Sequence, residues 1–271
     1  MKNAKLRRFL SYHLLTVAAG LSVLFLLAPI GMMIALSFNQ VIGRFDFVWH
    51  GFSAAAWLHP FAVDGLLPAL EISIVLAVIV ATIATSIGTA LAYAQVRYKF
   101  IGSGALDLIL LLTVATPEVI IGSALLDLFV GAQVETGVIT MFISHVMFDI
   151  AFVTIMVKSR LRDFDITLEH AAMDLGATPA LVFRRITLPL IMPSIVAAGL
   201  LALVLSLDDF IISMFVSGQV VTFPLFVWGT ARIAMPAQIY VIGTAIFLTL
   251  TAALFTTFFV DQRRARRMGL T

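Results

Sequence analysis

The sequence predicts an all-α integral membrane protein with six transmembrane helices and both termini in the cytoplasm. Three observations predict this. First, 61% of the 271 residues are hydrophobic and only 12% are charged, against about a quarter charged in a soluble domain, and the mean hydropathy is +1.09. Second, the apolar residues gather into six runs, at 12–38, 66–95, 105–130, 137–157, 190–216 and 236–260, each near or above the roughly 20 residues that cross a bilayer as helix. Third, basic residues in loops favour the cytoplasmic side. With the N-terminus inside, Lys2, Lys5, Arg7, Arg8, Arg97, Lys99, Lys158, Arg160, Arg162, Arg184, Arg185, Arg263, Arg264, Arg266 and Arg267 are all cytoplasmic, 15 of the 17 Lys and Arg. Only Arg44 and Arg232 fall outside.

The first run, Tyr12 to Phe38, follows a basic start. It is longer than the roughly 7–15 residues of a signal-peptide core, and no small-residue cleavage site clearly follows it, so it reads as a retained helix. Residues 39–65 carry Gly, Pro, Trp and His and read as an outer loop with a short interfacial element, since Trp favours the headgroup zone. Residues 96–104 are short and basic, and 131–136 are short without Lys or Arg. Residues 158–189 form the long polar connection, and 217–235 hold Gly218, Pro224 and Trp228. With no long internal repeat and no low-complexity linker, the chain reads as one membrane domain, 1–271, with its core at about 66–260. Cysteine is absent, which excludes disulfides, thiolate chemistry and Cys-ligated metals. The net charge of +2 is too small to suggest nucleic acid.

The polar connection is punctuated as a folded unit. Asp165 or Thr167 can cap a short helix, and Gly176 suits the left-handed residue that ends one. Thr178 then caps a second helix with Pro179 at its first position, where the missing N–H costs nothing. This second helix runs through "ALVFRRITL" and meets Pro189. Leu175, Leu181, Val182, Ile186 and Leu188 recur at roughly helical spacing. Physical chemistry alone leaves two readings: an ordinary folded loop, or a docking element for a soluble partner.

The residues Ala171-Ala172, Gly176, Ile186, Leu188 and Pro189 resemble the EAA motif of ABC-importer permeases, in which E-A-A, three residues, Gly, nine residues and I-x-L-P recur in a cytoplasmic loop. The departure is His170 where the family carries Glu, with Glu169 one residue earlier. The resemblance implies a type I ABC importer permease fold, with 158–189 as the coupling loop that fits a cleft on the ATP-hydrolysing subunit. The contacts it implies are Glu169, His170, Ala171, Ala172, Asp174, Gly176 and Ala177. The chain has no G-x-x-x-x-G-K-[ST] phosphate loop, which agrees with borrowing energy from a partner. No catalytic residue and no cofactor of its own is implied; ATP and Mg would be bound by the partner.

Ionisable groups inside bilayer helices are costly and default to functional candidates. The acids singled out are Glu71, Glu118, Asp127, Asp149, Asp208 and Asp209. At about 1.5 Å rise per residue, Glu118 and Asp149 lie near mid-bilayer, and Asp208 and Asp209 lie about two-thirds along the fifth run, towards the outer side. Glu71 and Asp127 lie near outer helix ends and read equally well as wetted ends. Lacking basic partners within the runs, the acids are either protonated or line a water-filled path that attracts cations. His145 and Asp149, four residues apart, can share a face and are expected to pair. Glu118 follows Pro117, which can open a bend.

"TPEVI", "SLDDFIISMFVSG" and "FPLFVWGTARIAMPAQI" are similar to the spermidine/putrescine-type permeases. That resemblance implies a polycationic substrate, a path carried by Glu118, Asp208 and Asp209, and a bacterial inner-membrane location. Phe210 can add cation–π contacts, although core packing is the commoner role for any one of the 22 Phe. The implied partners are a second homologous permease, two ATP-binding subunits, an extracytoplasmic substrate-binding protein and membrane lipid. Related permeases carry iron, phosphonates or amino-acid-like solutes. An ATP-independent channel or secondary transporter predicts inverted repeats, which are not found. An intramembrane enzyme predicts paired acid motifs such as GxGD, also not found.

Overall fold

A computed structural model describes the backbone of residues 2–45 and 47–267 and the side chains of 14–45 and 47–256. The side chains of Lys2, Lys5, Arg7, Arg8, Arg263, Arg264, Arg266 and Arg267, counted in the charge bias above, lie outside the described residues. The elements are α1 (Lys2–Leu36), α2 (Ala55–Leu58), α3 (Leu66–Arg97), α4 (Ser103–Ala115), α5 (Glu118–Gly131), α6 (Val138–Arg162), α7 (Thr167–Asp174), α8 (Pro179–Val182), a π-helical turn (Phe183–Thr187), α9 (Leu188–Asp208), α10 (Ile211–Val216), α11 (Phe223–Ala231) and α12 (Ala237–Arg267). Among the described residues, five stretches are long and apolar enough to span a membrane: Leu14–Leu36, Leu66–Arg97, Val138–Arg162, Pro179–Asp208 and Ala237–Thr256. A sixth is present only as a bent pair.

That pair is the third apolar run, opened at the proline where a bend is expected. α4 and α5 meet at 110° across Thr116 and Pro117, so 105–130 is two short helices and not one straight span. Pro117 has no N–H to give to the α4 ladder and Thr116 is extended (φ −79°, ψ 132°), as the residue before a proline prefers. The fifth run is corrected. α9 stops at Asp208, Asp209 is extended (φ −63°, ψ 113°), and α10 begins at Ile211. In the other direction the same span starts earlier than its hydropathy suggests: α8, the π turn and α9 are continuous. Pro189 does not end the helix. Its ring would crowd the ladder one turn earlier, and there the chain widens to a π turn, in which the Leu188 N–H reaches back to the Phe183 carbonyl.

The molecule resolves into two compact units, residues 1–64 with 230–249, and residues 65–229 with 250–271. In the second, α3 supplies the central face: Ala69, Ser73, Leu76, Ala77, Val80, Ala81, Ala84, Gly88 and Ala92 recur at helical spacing and are buried. The seam is mostly small residues, which lets backbones approach closely where no hydrophobic effect drives membrane helices together. A Cβ at Gly88 would lie 2.7 Å from Val153 of α6, and one at Gly199 of α9 would lie 3.0 Å from the Thr85 hydroxyl. Around this seam, Leu76 and Val80 join Ile121, Leu125 and Phe129 of α5, Met141 and Phe148 of α6, and Ile212 and Val216 of α10. Towards the other end, Ala81 and Ala92 join Val153, Val157 and Leu161 of α6 and Ile191, Ala198 and Ala202 of α9. Thr140 hooks α10 to α6: its hydroxyl donates to the Val216 carbonyl at 2.7 Å.

In the first unit, α1 exposes large apolar side chains from Leu14 to Leu27. Asn39 closes the loop that follows, donating to the Val48 carbonyl at 2.7 Å and accepting from the His50 N–H at 2.8 Å. Ala56, Ala237 and Val241 form its small core, with Trp57 against them.

Candidate functional site

Two groups of residues carry candidate chemistry: the polar segment between α6 and α9, and the acids at the broken ends of α5 and α9. Both lie within the second unit.

The polar segment folds as its punctuation predicts. The Asp165 carboxylate accepts the Thr167 N–H at 2.9 Å, and that bond holds its carboxyl below the usual carboxylate range. A carboxyl with a depressed folded-state pKa contributes above its unfolded value, about 3.9, and loses that contribution only as pH falls through the folded value. α7 therefore keeps this cap at neutral pH. At its other end Gly176 has φ +87°, its N–H donates to Met173, and the Ala177 N–H donates to Ala172. These are the paired bonds of a Schellman turn. Thr178 stands extended before Pro179, as expected, though its side chain makes no capping bond.

The docking residues do not share one face. His170, Ala171, Asp174 and Gly176 are exposed, and Ala172 and Ala177 are half-buried. Glu169 is turned inward: its carboxylate accepts from Arg97 of α3 at 2.9 Å and from the Thr187 hydroxyl at 2.7 Å. It is therefore corrected from a surface contact to an internal tie, because α7 turns by about 100° per residue and the 169 position faces the helix ends beneath. Leu175, read as one of the recurring apolar positions, is 91% exposed, and Leu168 and Met173 are exposed beside it. The sequence signal for that surface was present: three large apolar residues in a segment outside every membrane run. Exposed apolar patches mark interaction surfaces.

At the broken helices, Glu118 opens α5 in the bend after Pro117, half-exposed, and lies within electrostatic reach of both Asp209 and Asp208. Glu118 stands at the start of α5, and Asp208 and Asp209 stand at the broken end of α9. Their environments differ. Asp208 is exposed. Asp209 is largely enclosed: it accepts the Ser213 N–H at 2.7 Å, the Ser213 hydroxyl at 2.8 Å and the Ile212 N–H at 3.3 Å, and lies 3.1 Å from His145 Nε2. Its carboxylate caps the first turn of α10, which makes Asp209 a structural group as well as one of the acids at the break. Phe210 stacks obliquely on Trp228, with centroids 5.2 Å apart, beside these acids in sequence.

The expected His145–Asp149 pair does not form. His145 Nδ1 lies 2.9 Å from the Ser206 hydroxyl and Nε2 lies 3.0 Å from that of Ser213. Because Asp209 can only accept when ionised, the network assigns a proton to Nε2. Asp149 is buried, and its Oδ2 has no hydrogen-bond partner among the described residues. With α9 ended at Asp208, the Asp209 carboxylate lies beside the histidine, whose two ring nitrogens are both already engaged. Glu71 and Asp127 are exposed. Asp107, missed by the sequence reading, accepts from Gln95 at 2.9 Å and pairs with Lys158 of α6. Among the described residues no group of three or more His, Asp or Glu could hold a metal ion.

Three comparisons bear on this arrangement. The family described as "binding-protein-dependent transport system inner membrane component" matches residues 84–268. The putrescine transport system permease protein PotI of Escherichia coli (strain K12) is 37% identical over 230 residues, covering 82% of this chain and 81% of the relative. The spermidine/putrescine transport system permease protein PotC of the same organism is 33% identical over 225 residues, covering 83% and 84%. Among solved structures, a bacterial alginate ABC transporter in complex with its alginate pentasaccharide-bound periplasmic protein aligns with a TM-score of 0.66, 17% identity, and coverage of 97% of this chain and 96% of that one. At that identity the likeness is one of fold.

Proposed function

The chain belongs to the family of binding-protein-dependent transport system inner membrane components, and from that premise we propose that it forms half of a polyamine pathway in the bacterial inner membrane, with the segment between α6 and α9 docked on an ATP-hydrolysing subunit. It is a multi-pass permease subunit of an ABC importer. The observation that carries the polyamine reading is that Glu118 and Asp208 each stand at a helix break, with no Lys or Arg among 108–131 or 190–216 to neutralise them. Polyamines are flexible aliphatic chains of spaced ammonium groups. Exposed carboxylates attract the charges, and the ring faces of Phe210 and Trp228 suit both methylenes and cations. The relatives named for putrescine and spermidine support the same reading.

Both termini and the 163–187 segment are assigned to the cytoplasm by the charge bias. One chain supplies half a pathway. A second homologous permease, two ATP-binding subunits carrying ATP and Mg, and an extracytoplasmic binding protein complete the machine. ATP binding and hydrolysis move the docked segment and so rock the helices between outward- and inward-facing states.

Two experiments test this. The first is ATP-dependent spermidine and putrescine uptake by the assembled transporter. Glu118→Gln and Asp208→Asn are each expected to lower uptake about tenfold, the effect of losing roughly 1.4 kcal/mol of attraction. Unchanged uptake in both would remove the acidic path. The second concerns docking. A Cβ at Gly176 meets nothing within 4 Å, so beyond local strain at φ +87° the bulk of Gly176→Leu is expected to fall chiefly on a partner. Co-purification of the ATP-binding subunit is expected to fall at least about fivefold, roughly 1 kcal/mol. Retention at the wild-type level would refute docking at this turn.

A further inference from the structure

We propose that Arg97 and Glu169 form a strut that carries force between the docked segment and the membrane helices, a role that rests on the docking reading above. Glu169 sits on α7 between two exposed neighbours, Leu168 and His170, yet is itself buried. Its carboxylate grips two separate core elements. One is Arg97, the last residue of α3 (2.9 Å). The other is Thr187, fully buried at the root of α9 (2.7 Å). Both anchors converge on one oxygen, Oε1, which makes the Glu169 carboxylate the point at which α3 and the root of α9 are joined.

Stability does not account for this arrangement. Burying two charges costs desolvation, and a buried ion pair is often no more stabilising than apolar residues of the same volume. What the pair supplies is a fixed geometry. The Arg97 guanidinium lies over the Phe164 ring at 5.6 Å, which ties the strut to the entry of α7. Tyr93, one turn earlier on α3, packs edge-on against Phe183 at 4.7 Å, in the π turn that leads to Thr187. The tie thus joins α3, the start of α7 and the root of α9 in one connected set.

What α3 does with that displacement follows from its packing. Gly88 against Val153 and Thr85 against Gly199 hold α3 to α6 and α9 with little slack, because close-packed surfaces shift as bodies and do not deform smoothly. At its far end, Ser73 accepts the Phe223 N–H at 2.7 Å, at the start of α11. Arg97 and Ser73 are 24 residues apart, about 36 Å along the helix. A push on α7 therefore reaches the opposite end of the helix bundle through one stiff element. Arg97 and Glu169 are positioning residues and do not touch the substrate.

The test uses the complete transporter, with its ATP-binding subunits and binding protein, and spermidine as probe. It measures ATP hydrolysis with and without the loaded binding protein. The double variant Arg97→Met with Glu169→Met removes both charges and leaves neither buried alone. It is expected to co-purify its ATP-binding subunit at the wild-type level while losing at least tenfold of the spermidine-dependent stimulation. Arg97→Lys keeps the charge and is expected to retain at least half of it. Thr187→Val removes one anchor and keeps both charges, and carries the test should the double variant not accumulate. Its stimulation is expected to fall at least threefold. Wild-type stimulation in the double variant or in Thr187→Val overturns the strut, as does loss of the ATP-binding subunit from the double variant, which would make the pair part of docking. Arg97→Lys losing stimulation as fully as the double variant also overturns it. These failures leave the importer reading intact. Absence of stimulation in the wild-type transporter would count against that reading instead.

Discussion

Replacing His145 with leucine is expected to destabilise the protein by roughly 3 kcal/mol or more, read as a fall of several degrees in its thermal midpoint in detergent. The size follows from what the ring holds. One imidazole serves Ser206 of α9, Ser213 of α10 and the Asp209 carboxylate between them. Leucine fills the space and satisfies none of the three. A buried hydrogen-bonding group left without a partner costs about 1–3 kcal/mol, and more when it is charged. Asp209 keeps its bonds from Ser213 and Ile212, so the loss falls chiefly on the carboxylate's open side and on Ser206. His145→Gln, which keeps a donor and an acceptor, is expected to lose about half as much by the same reckoning. A leucine variant within about 1 kcal/mol of wild type would show that the network does not hold the broken end of α9.

Gly218→Ala is expected to be nearly as damaging, at about 3 kcal/mol, because two penalties coincide. Gly218 has φ +58°, and a side chain in that region costs about 1–2 kcal/mol. A Cβ there would also overlap the Thr136 carbonyl oxygen and lie 2.9 Å from its carbonyl carbon. Backbone is not a flexible neighbour, so the turn after α10 or the turn before α6 has to move. That movement would pull on the bond from Thr140 to Val216. Gly176 is the internal control: it too has positive φ, but a Cβ there meets nothing within 4 Å. Gly176→Ala is therefore expected to show the conformational penalty alone. Equal stability losses at the two positions would mean that the contact with Thr136 contributes nothing.

These positions also show what was legible in the sequence. The docking segment could be read because its signals are local: a carboxylate two residues before an N–H, a glycine where the helix ends, a proline at a helix start. Asp165, Gly176 and Pro179 each act within a few residues of themselves. The spans of α3 and α6 could be read because lipid leaves the backbone few alternatives to helix. What escaped depends on remote partners. Nothing near Glu169 says that Arg97, 72 residues away, will claim it, and helical spacing alone cannot tell an inward acid from an outward one on a short helix. The break at Asp209 was hidden by continuous hydropathy from 190 to 216. It is visible only once His145 and Ser213 are seen to offer the carboxylate a better set of partners than the helix does. The pairing of His145 with Asp149 failed for the same reason.

The bend at Thr116 and Pro117 also bears on how the chain is made. α4 and α5 have 13 and 14 residues, so each is about 20 Å long, well short of the roughly 30 Å hydrocarbon layer. Neither piece can be released into lipid as a finished span during synthesis, since the bend exposes peptide groups that lipid cannot satisfy. Ile121, Leu125 and Phe129 of α5 find their packing partly in Ile212 and Val216 of α10, some ninety residues later in the chain. Part of the packing that holds this segment is therefore completed only by downstream sequence. Chains cut short before α10 are expected to hold the third hydrophobic segment less firmly than the complete protein does.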